Sequence, residues 1–170
     1  DTFYQLLYKK VTIELRNLIK EGCLPDSEKT DNYTKQVAQY CDDVARHQVA
    51  ESKKVLEQLA KRYPLVLVTN FYGNITSVLK EYGIYHLFIS IVESAVVGVR
   101  KPSPEIFKKG VEALNLPSEQ VLVVGDSYSK DISPALQAGC QAIWFKGDSW
   151  QGKEEKIEYE RTISSLNELL

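Results

Sequence analysis

The sequence predicts an α/β fold: parallel strands covered by helices on both faces, preceded by a helical segment. Three observations carry that expectation. From Leu65 to Leu170, short apolar runs alternate with stretches of helical periodicity, the pattern of a parallel sheet with crossover helices. The runs themselves, such as Leu65-Val66-Leu67-Val68 and Val121-Leu122-Val123-Val124, are continuously apolar, as strands buried on both faces must be. Polar residues sit where these runs close: Thr69-Asn70 after the first and Asp126 after Gly125, with Lys101 on a connection between them. In open sheets of this kind ligands bind beyond the C-terminal strand ends.

Each element has a local reason. Residues 3–21 place Phe3, Leu6, Leu7, Val11, Leu15, Leu18 and Ile19 near helical spacing, and Gly22 is a stop signal. Residues 24–32, with Pro25, Asp26 and Ser27, form a polar connector. A second helix over about 33–46 uses Val37, Tyr40, Cys41 and Val44 as its inner face, so the two helices read as an antiparallel pair. A third helix, 51–62, carries Val55, Leu56, Leu59 and Ala60 on one face. At Pro64 the period changes. Strands are expected over 65–68, 88–92, 121–124 and 142–145, with Ile163 closing a short last one. Between them, Asn74 caps a helix with Ile75, Val78 and Leu79, ending at Gly83. Ser103 caps another with Pro104 at its first position and Glu105 in its first turn, running to about Leu114. A further helix spans 131–138 before Gly139, and Ser164 or Ser165 caps a terminal one.

Size and composition narrow the function classes. A chain of 170 residues is one domain with at most a small appendage. Hydrophobic content of 44% and charged content of 26% exclude disordered and fibrous classes. A net charge of −2 gives no basic face for nucleic acid. Apolar runs of about five residues fall far short of the roughly 20 that a membrane helix needs, and no basic-then-apolar leader opens the chain. Cys23, Cys41 and Cys140 form no C-x-x-C pair and read as reduced packing thiols of a cytoplasmic protein. His47 and His86 stand alone in sequence, which argues against a histidine metal site. The chain opens on Asp1 and contains no methionine, and it reads as a fragment.

The polar strand-end residues are the candidate site. Asp126, with Gly125 letting the chain turn, suits a hard cation that binds through oxygen. Asp131 suits a helix start or the cation's outer shell. Lys101 offers a compact charge with three donors against phosphate and carboxylates. Thr69 offers a hydroxyl and Asn70 an amide to phosphoryl oxygens. Each also has a plain reading: Asp126 as a turn former, Asp131 as a helix cap, Lys101 as a solvated loop residue, Thr69-Asn70 as a turn. A receiver domain would need an acidic pair near its first strand, and a dinucleotide fold a G-x-G-x-x-G turn; neither is present. Taken together, the order and intervals favour a site for a phosphoryl group and a divalent cation.

Val68-Thr69-Asn70, Arg100-Lys101-Pro102 with Pro104, Ile106 and Phe107, and Gly125-Asp126-Ser127 with Asp131-Ile132 resemble the second, third and fourth motifs of the haloacid dehalogenase superfamily. Gly139 to Trp144 is similar to that family's small-residue turn and following strand. The resemblance spans residues 51–170 and implies a Rossmann-like core, residues 51–170, behind a helical cap fragment, residues 1–50. It implies a Mg²⁺-dependent hydrolase, acting on a small phosphate ester through an aspartyl-phosphate. Thr69 and Lys101 would be catalytic, Thr69, Asn70 and Lys101 would bind substrate, and Asp126 would ligate Mg²⁺ with Asp131 behind it. The family's first motif, D-x-D-x-T after an apolar strand, is not in this sequence, and Asp1-Thr2 does not supply it. The nucleophile and first strand are therefore expected upstream and this chain inactive, with unpaired strand edges that invite self-association. The competing expectation is a non-catalytic binding module of the same fold. Substrate identity is beyond the motifs, because a fold carries many functions.

Overall fold

The computed structural model describes residues 1–25, 27, 29–146 and 157–170. Asp26 and Glu28 of the expected connector lie outside the described residues. Contacts gather the chain into two units: Asp1–Lys53 with Thr76–Tyr85, and Lys54–Ile75 with His86–Leu170.

The first unit is helical. Helix α1, Phe3–Lys20, begins in a capping box in which Thr2 and Gln5 satisfy each other's backbone N–H groups. None of its residues is fully buried. Helix α2 is one 30-residue element, Thr30–Leu59, where two helices were expected. The joining segment His47-Gln48-Val49-Ala50 holds neither glycine nor proline, so nothing interrupts the hydrogen-bond ladder.

The inner face of α2 also differs from the expected one. Val37, Tyr40 and Val44 are exposed, Tyr40 by 71%, while Thr34, Ala38 and Asp42 are buried. Polar bonding decides this. The Asp42 carboxylate accepts from the Tyr82 hydroxyl at 3.1 Å and from Arg46 Nε at 2.7 Å. Arg46 also pairs with Glu81 and lies over the Tyr82 ring at 5.1 Å. Glu81, at the end of α3 (Ile75–Glu81), accepts from the Phe3 N–H at 3.2 Å. A buried carboxylate needs such partners, so the face that carries Asp42 turns inward and the apolar stripe turns out.

Among the described residues the second unit holds five strands: β1 (Val66–Thr69), β2 (Ser90–Glu93), β3 (Leu122–Gly125), β4 (Gln141–Phe145) and β5 (Thr162–Ile163). All pairings are parallel. They form two sheets, β1-β2 and β3-β4-β5, so among the described residues β1 and β3 each pair on one side. Val66 opposes Ser90 and Thr69 opposes Glu93; Leu122 opposes Gln141 and Gly125 opposes Trp144. On β3, Leu122 is 48% and Val124 37% exposed, leaving one strand face open where a parallel strand is ordinarily covered. The expected 88–92 strand starts two residues later, because Ile89 is exposed and its N–H is spent on the Leu65 carbonyl before the ladder begins.

Helices α4 (Ser94–Val97), α5 (Glu105–Leu114) and α6 (Ser133–Gln137) also belong to this unit. Helix α5 packs across β1 and β2. Gly110 permits the approach: a Cβ there would lie 3.0 Å from Val68 Cγ2. Ile106 and Phe107 from α5, Ile132 and Ala135, and Ala142 and Trp144 from β4 share one core with Val92, Val121 and Cys140. Burial pushes the Cys140 thiol up from its ordinary range. All three cysteines are free thiols; Cys23 is exposed and does not pack. Among the described residues no helix is long and apolar enough to cross a membrane.

Candidate active site

The C-terminal ends of β1 and β3 deliver the polar residues. Thr69, the last residue of β1, is half-buried, and Asn70 follows it off the strand. The Asn70 amide meets the main chain of Lys101: its Oδ1 accepts from the Lys101 N–H at 2.8 Å, and its Nδ2 donates to the Lys101 carbonyl at 3.0 Å. The Lys101 ammonium then donates to Asp131 Oδ1 at 2.6 Å, with side chains 18% and 6% exposed. The second oxygen of Asp131 accepts from the Ser127 N–H at 3.2 Å. Asn70, Lys101, Asp131 and the turn after β3 thus form one bonded chain.

A π-helical turn, Tyr128–Ile132, makes this possible. The expected helix over 131–138 begins here, three residues earlier, because Ser127 acts as the cap: its hydroxyl accepts from the Lys130 N–H at 3.3 Å. Asp131 is therefore not the cap residue but sits inside the wide turn and is buried. Wide turns of this type recur at functional sites because they re-aim one side chain. Gly125 gives Asp131 its room: a Cβ at Gly125 would fall 2.3 Å from Asp131 Cβ, a distance no real side chain tolerates.

Asp126 stands outside this network. Its carbonyl accepts from Trp144 Nε1 at 3.0 Å, which ties the turn to β4, while the residue itself is exposed. Among the described residues neither the Asp126 carboxylate nor the Thr69 hydroxyl joins the bonded chain, so both remain available to a ligand. One functional candidate was not anticipated. Glu93, buried at the end of β2, accepts from the Gly73 N–H at 2.6 Å and the Ile75 N–H at 3.4 Å, and so holds the loop that follows Asn70. Its signal in the sequence was an acidic residue closing the apolar run Ile91-Val92, the same signal that marked Asp126.

Chemically, the arrangement sets a hydroxyl and an exposed carboxylate at strand ends and a cation on the connection before α5, all in a single unit. As a metal site it is partial. Mg²⁺ is typically held by one or two carboxylates with water and substrate oxygens completing an octahedron. Asp126 fits one such position, and no group of three or more His, Cys, Asp or Glu side chains gathers among the described residues. Asp131 is committed to Lys101 and Ser127.

The model of the haloacid dehalogenase-like hydrolases matches residues 7–139, and the chain belongs to that family. It is 33% identical over 122 residues to the 5-amino-6-(5-phospho-D-ribitylamino)uracil phosphatase YigB of Escherichia coli, covering 70% of this chain and 50% of that protein. It is 33% identical over 92 residues to a glyceraldehyde 3-phosphate phosphatase of Methanocaldococcus jannaschii, covering 54% of this chain and 40% of that protein. The chain spans about half the length of the curated relatives it matches. Among solved structures, a phosphatase of this superfamily from Thermococcus onnurineus superposes with a TM-score of 0.65 at 23% identity, covering 98% of this chain and 86% of that one. A 2-haloacid dehalogenase from Pseudomonas syringae pv. Tomato gives 0.61 at 22% identity, covering 98% and 69%. These two likenesses show the fold alone.

Proposed function

We propose that this chain carries the charge-stabilising part of a phosphatase site for a small phosphate ester. The bonded chain Asn70–Lys101–Asp131 supports the reading most directly, because it brings a half-buried ammonium to the ends of two strands from different sheets. Lys101 would offset the charge of a phosphoryl group and Thr69 would donate to its oxygens, a fixed electrostatic arrangement of the kind that stabilises a displacement. Asp126 would supply one oxygen to Mg²⁺, which when bound polarises the phosphoryl oxygens as a Lewis acid. The two curated relatives named above are phosphatases, and this favours a phosphate ester over a carbon–halogen bond.

No residue of this bonded chain is free to attack phosphorus: Asp131 is paired on both oxygens, and the other members are an amide and an ammonium. With Asp126 assigned to Mg²⁺, the family's aspartyl-phosphate route needs an attacking carboxylate from outside the motifs in this sequence. The test is a chromogenic phosphate ester assay with Mg²⁺, beside an NMR titration with inorganic phosphate. The expected result is no turnover, with phosphate perturbing the Thr69 and Lys101 amides and Lys101→Ala removing that effect. Robust Mg²⁺-dependent turnover lost in Lys101→Ala would show that the nucleophile has been misplaced. Phosphate leaving both amides unperturbed would overturn the site itself.

A further inference from the structure

We infer that Asn70 is a positioning residue for Lys101, and that its amide is spent on the Lys101 main chain instead of on substrate. The inference rests on reading Lys101 as the phosphate-facing cation, but it concerns the geometry that holds Lys101 in place.

An amide side chain has an acceptor and donors at a fixed separation, as a peptide group does. Here both ends are used at once on one residue: Oδ1 takes the Lys101 N–H at 2.8 Å while Nδ2 gives to the Lys101 carbonyl at 3.0 Å. The pair also fixes which way the amide faces. Rotating it by half a turn would set nitrogen against N–H and oxygen against carbonyl, two repulsions in place of two bonds. Asn70 thus acts as one residue of a strand pair without being in a strand.

The consequence lies 31 residues along the chain. Lys101 sits on a connection between β2 and α5, with α4 intervening, and no strand ladder includes it. Asn70 attaches that connection to the end of β1, and from there the lysine stem spans to Asp131 beyond β3. A four-carbon stem can rotate into many positions, so its ammonium is placed only as well as its main chain is. Replacing Asn70 removes both of these bonds. The Lys101–Asp131 pair would then rest on the side chain alone.

Asparagine is the one residue that does this at this reach. Aspartate could still accept from the Lys101 N–H, but its second oxygen would face the Lys101 carbonyl. Alanine offers nothing. Both substitutions should therefore loosen Lys101 while leaving α5 and the core cluster in place.

The decisive experiment labels lysines on the intact 170-residue chain with a trace of acetic anhydride and reads each site by mass spectrometry. Asn70→Ala and Asn70→Asp should raise the Lys101 labelling rate about tenfold, the scale set by two lost hydrogen bonds. Lys108, paired with Glu105 on α5, is the internal control and should not change. The thermal midpoint, measured in parallel, separates local loosening from general destabilisation. Inorganic phosphate titrations of the same variants distinguish the alternatives. Raised Lys101 labelling with weaker phosphate binding supports both the positioning role and the site. Raised labelling in a protein that binds no phosphate even as wild type supports the positioning role and removes the proposed function. Unchanged labelling overturns the inference whatever phosphate does; if phosphate affinity alone is lost, Asn70 is a direct ligand. Should neither variant fold, amide hydrogen exchange on the wild type decides. The Lys101 N–H should exchange at least about tenfold slower than an unprotected amide, and free exchange there overturns the inference.

Discussion

The apolar runs of the α/β unit and the long helix of the helical unit differ in how far their apolar residues predict what is buried. In the α/β unit the core is drawn from apolar residues read from the sequence, among them Val92, Ile106, Phe107, Val121, Ile132, Ala142 and Trp144, although Leu122 and Val124 of β3 stay exposed. In the helical unit, α2 buries Thr34, Ala38 and Asp42 and leaves Tyr33, Val37, Tyr40 and Val44 outside. Those four residues are spaced four, three and four apart, a regular apolar seam on a helix. A strand between parallel neighbours has both faces determined by its place in the sheet. A helix has one face determined, and only by whichever partner offers the better bonds. Where a buried carboxylate is on offer, as Asp42 is to Tyr82 and Arg46, its need for partners outweighs a stripe of valines and tyrosines.

The comparison can be broken most sharply in the α/β core. Trp144 is buried among Ile132, Ala142 and Tyr128 and donates to the Asp126 carbonyl. Trp144→Ala should cost about 3–5 kcal/mol in urea denaturation. A loss below about 1 kcal/mol would mean that this core is not the stabilising one.

The buried ion pair comes next. Lys101→Met leaves the Asp131 carboxylate buried with a single backbone donor, and should cost on the order of 3 kcal/mol. The double variant Lys101→Met with Asp131→Leu should recover most of that loss, since an apolar pair of similar volume commonly replaces an ion pair at little cost. Equal losses in single and double variants would show that the pair is held by something other than charge.

The polar cluster of the helical unit gives a smaller effect with a pH signature. Burial first, then the charge of Asp42 and its hydrogen bond, hold the Tyr82 hydroxyl above its ordinary value of 10.0. The protonated phenol is the bonded form, so its contribution is whole below pH 10.0 and is lost as the pH rises past that value. Tyr82→Phe should cost about 1 kcal/mol at neutral pH, and the difference from wild type should shrink in alkaline denaturation curves. A constant difference up to the alkaline limit would remove Tyr82 from the cluster.

The smallest effect tests the exposed stripe. Tyr40→Ser should change stability by less than about 0.5 kcal/mol, as exposed positions do. A loss of several times that would mean the α2 stripe is covered in solution.

Strand identity and order were legible in residues such as Leu65 to Val68 and Val121 to Val124, because continuous apolar runs have no other stable place than a covered sheet. Thr69 and Asp126 stood out as candidates for the same reason, as polar groups at the ends of such runs, and Lys101 stood out on the connection before Pro102. The continuity of α2 between Arg46 and Glu51 was not read from the sequence, since the change of apolar face after Arg46 suggested a break where no glycine or proline interrupts the helix. The inner face of α2 was set by Tyr82 and Glu81, more than 30 residues away, and no local period reports a bond of that reach. The same holds at the site. Sequence order alone placed Asn70, Lys101 and Asp131 on separate connections. Only the tertiary structure could spend the Asn70 amide on the Lys101 backbone and turn Asp131 inward through a π-helical turn, because both depend on where a buried polar group finds its partner.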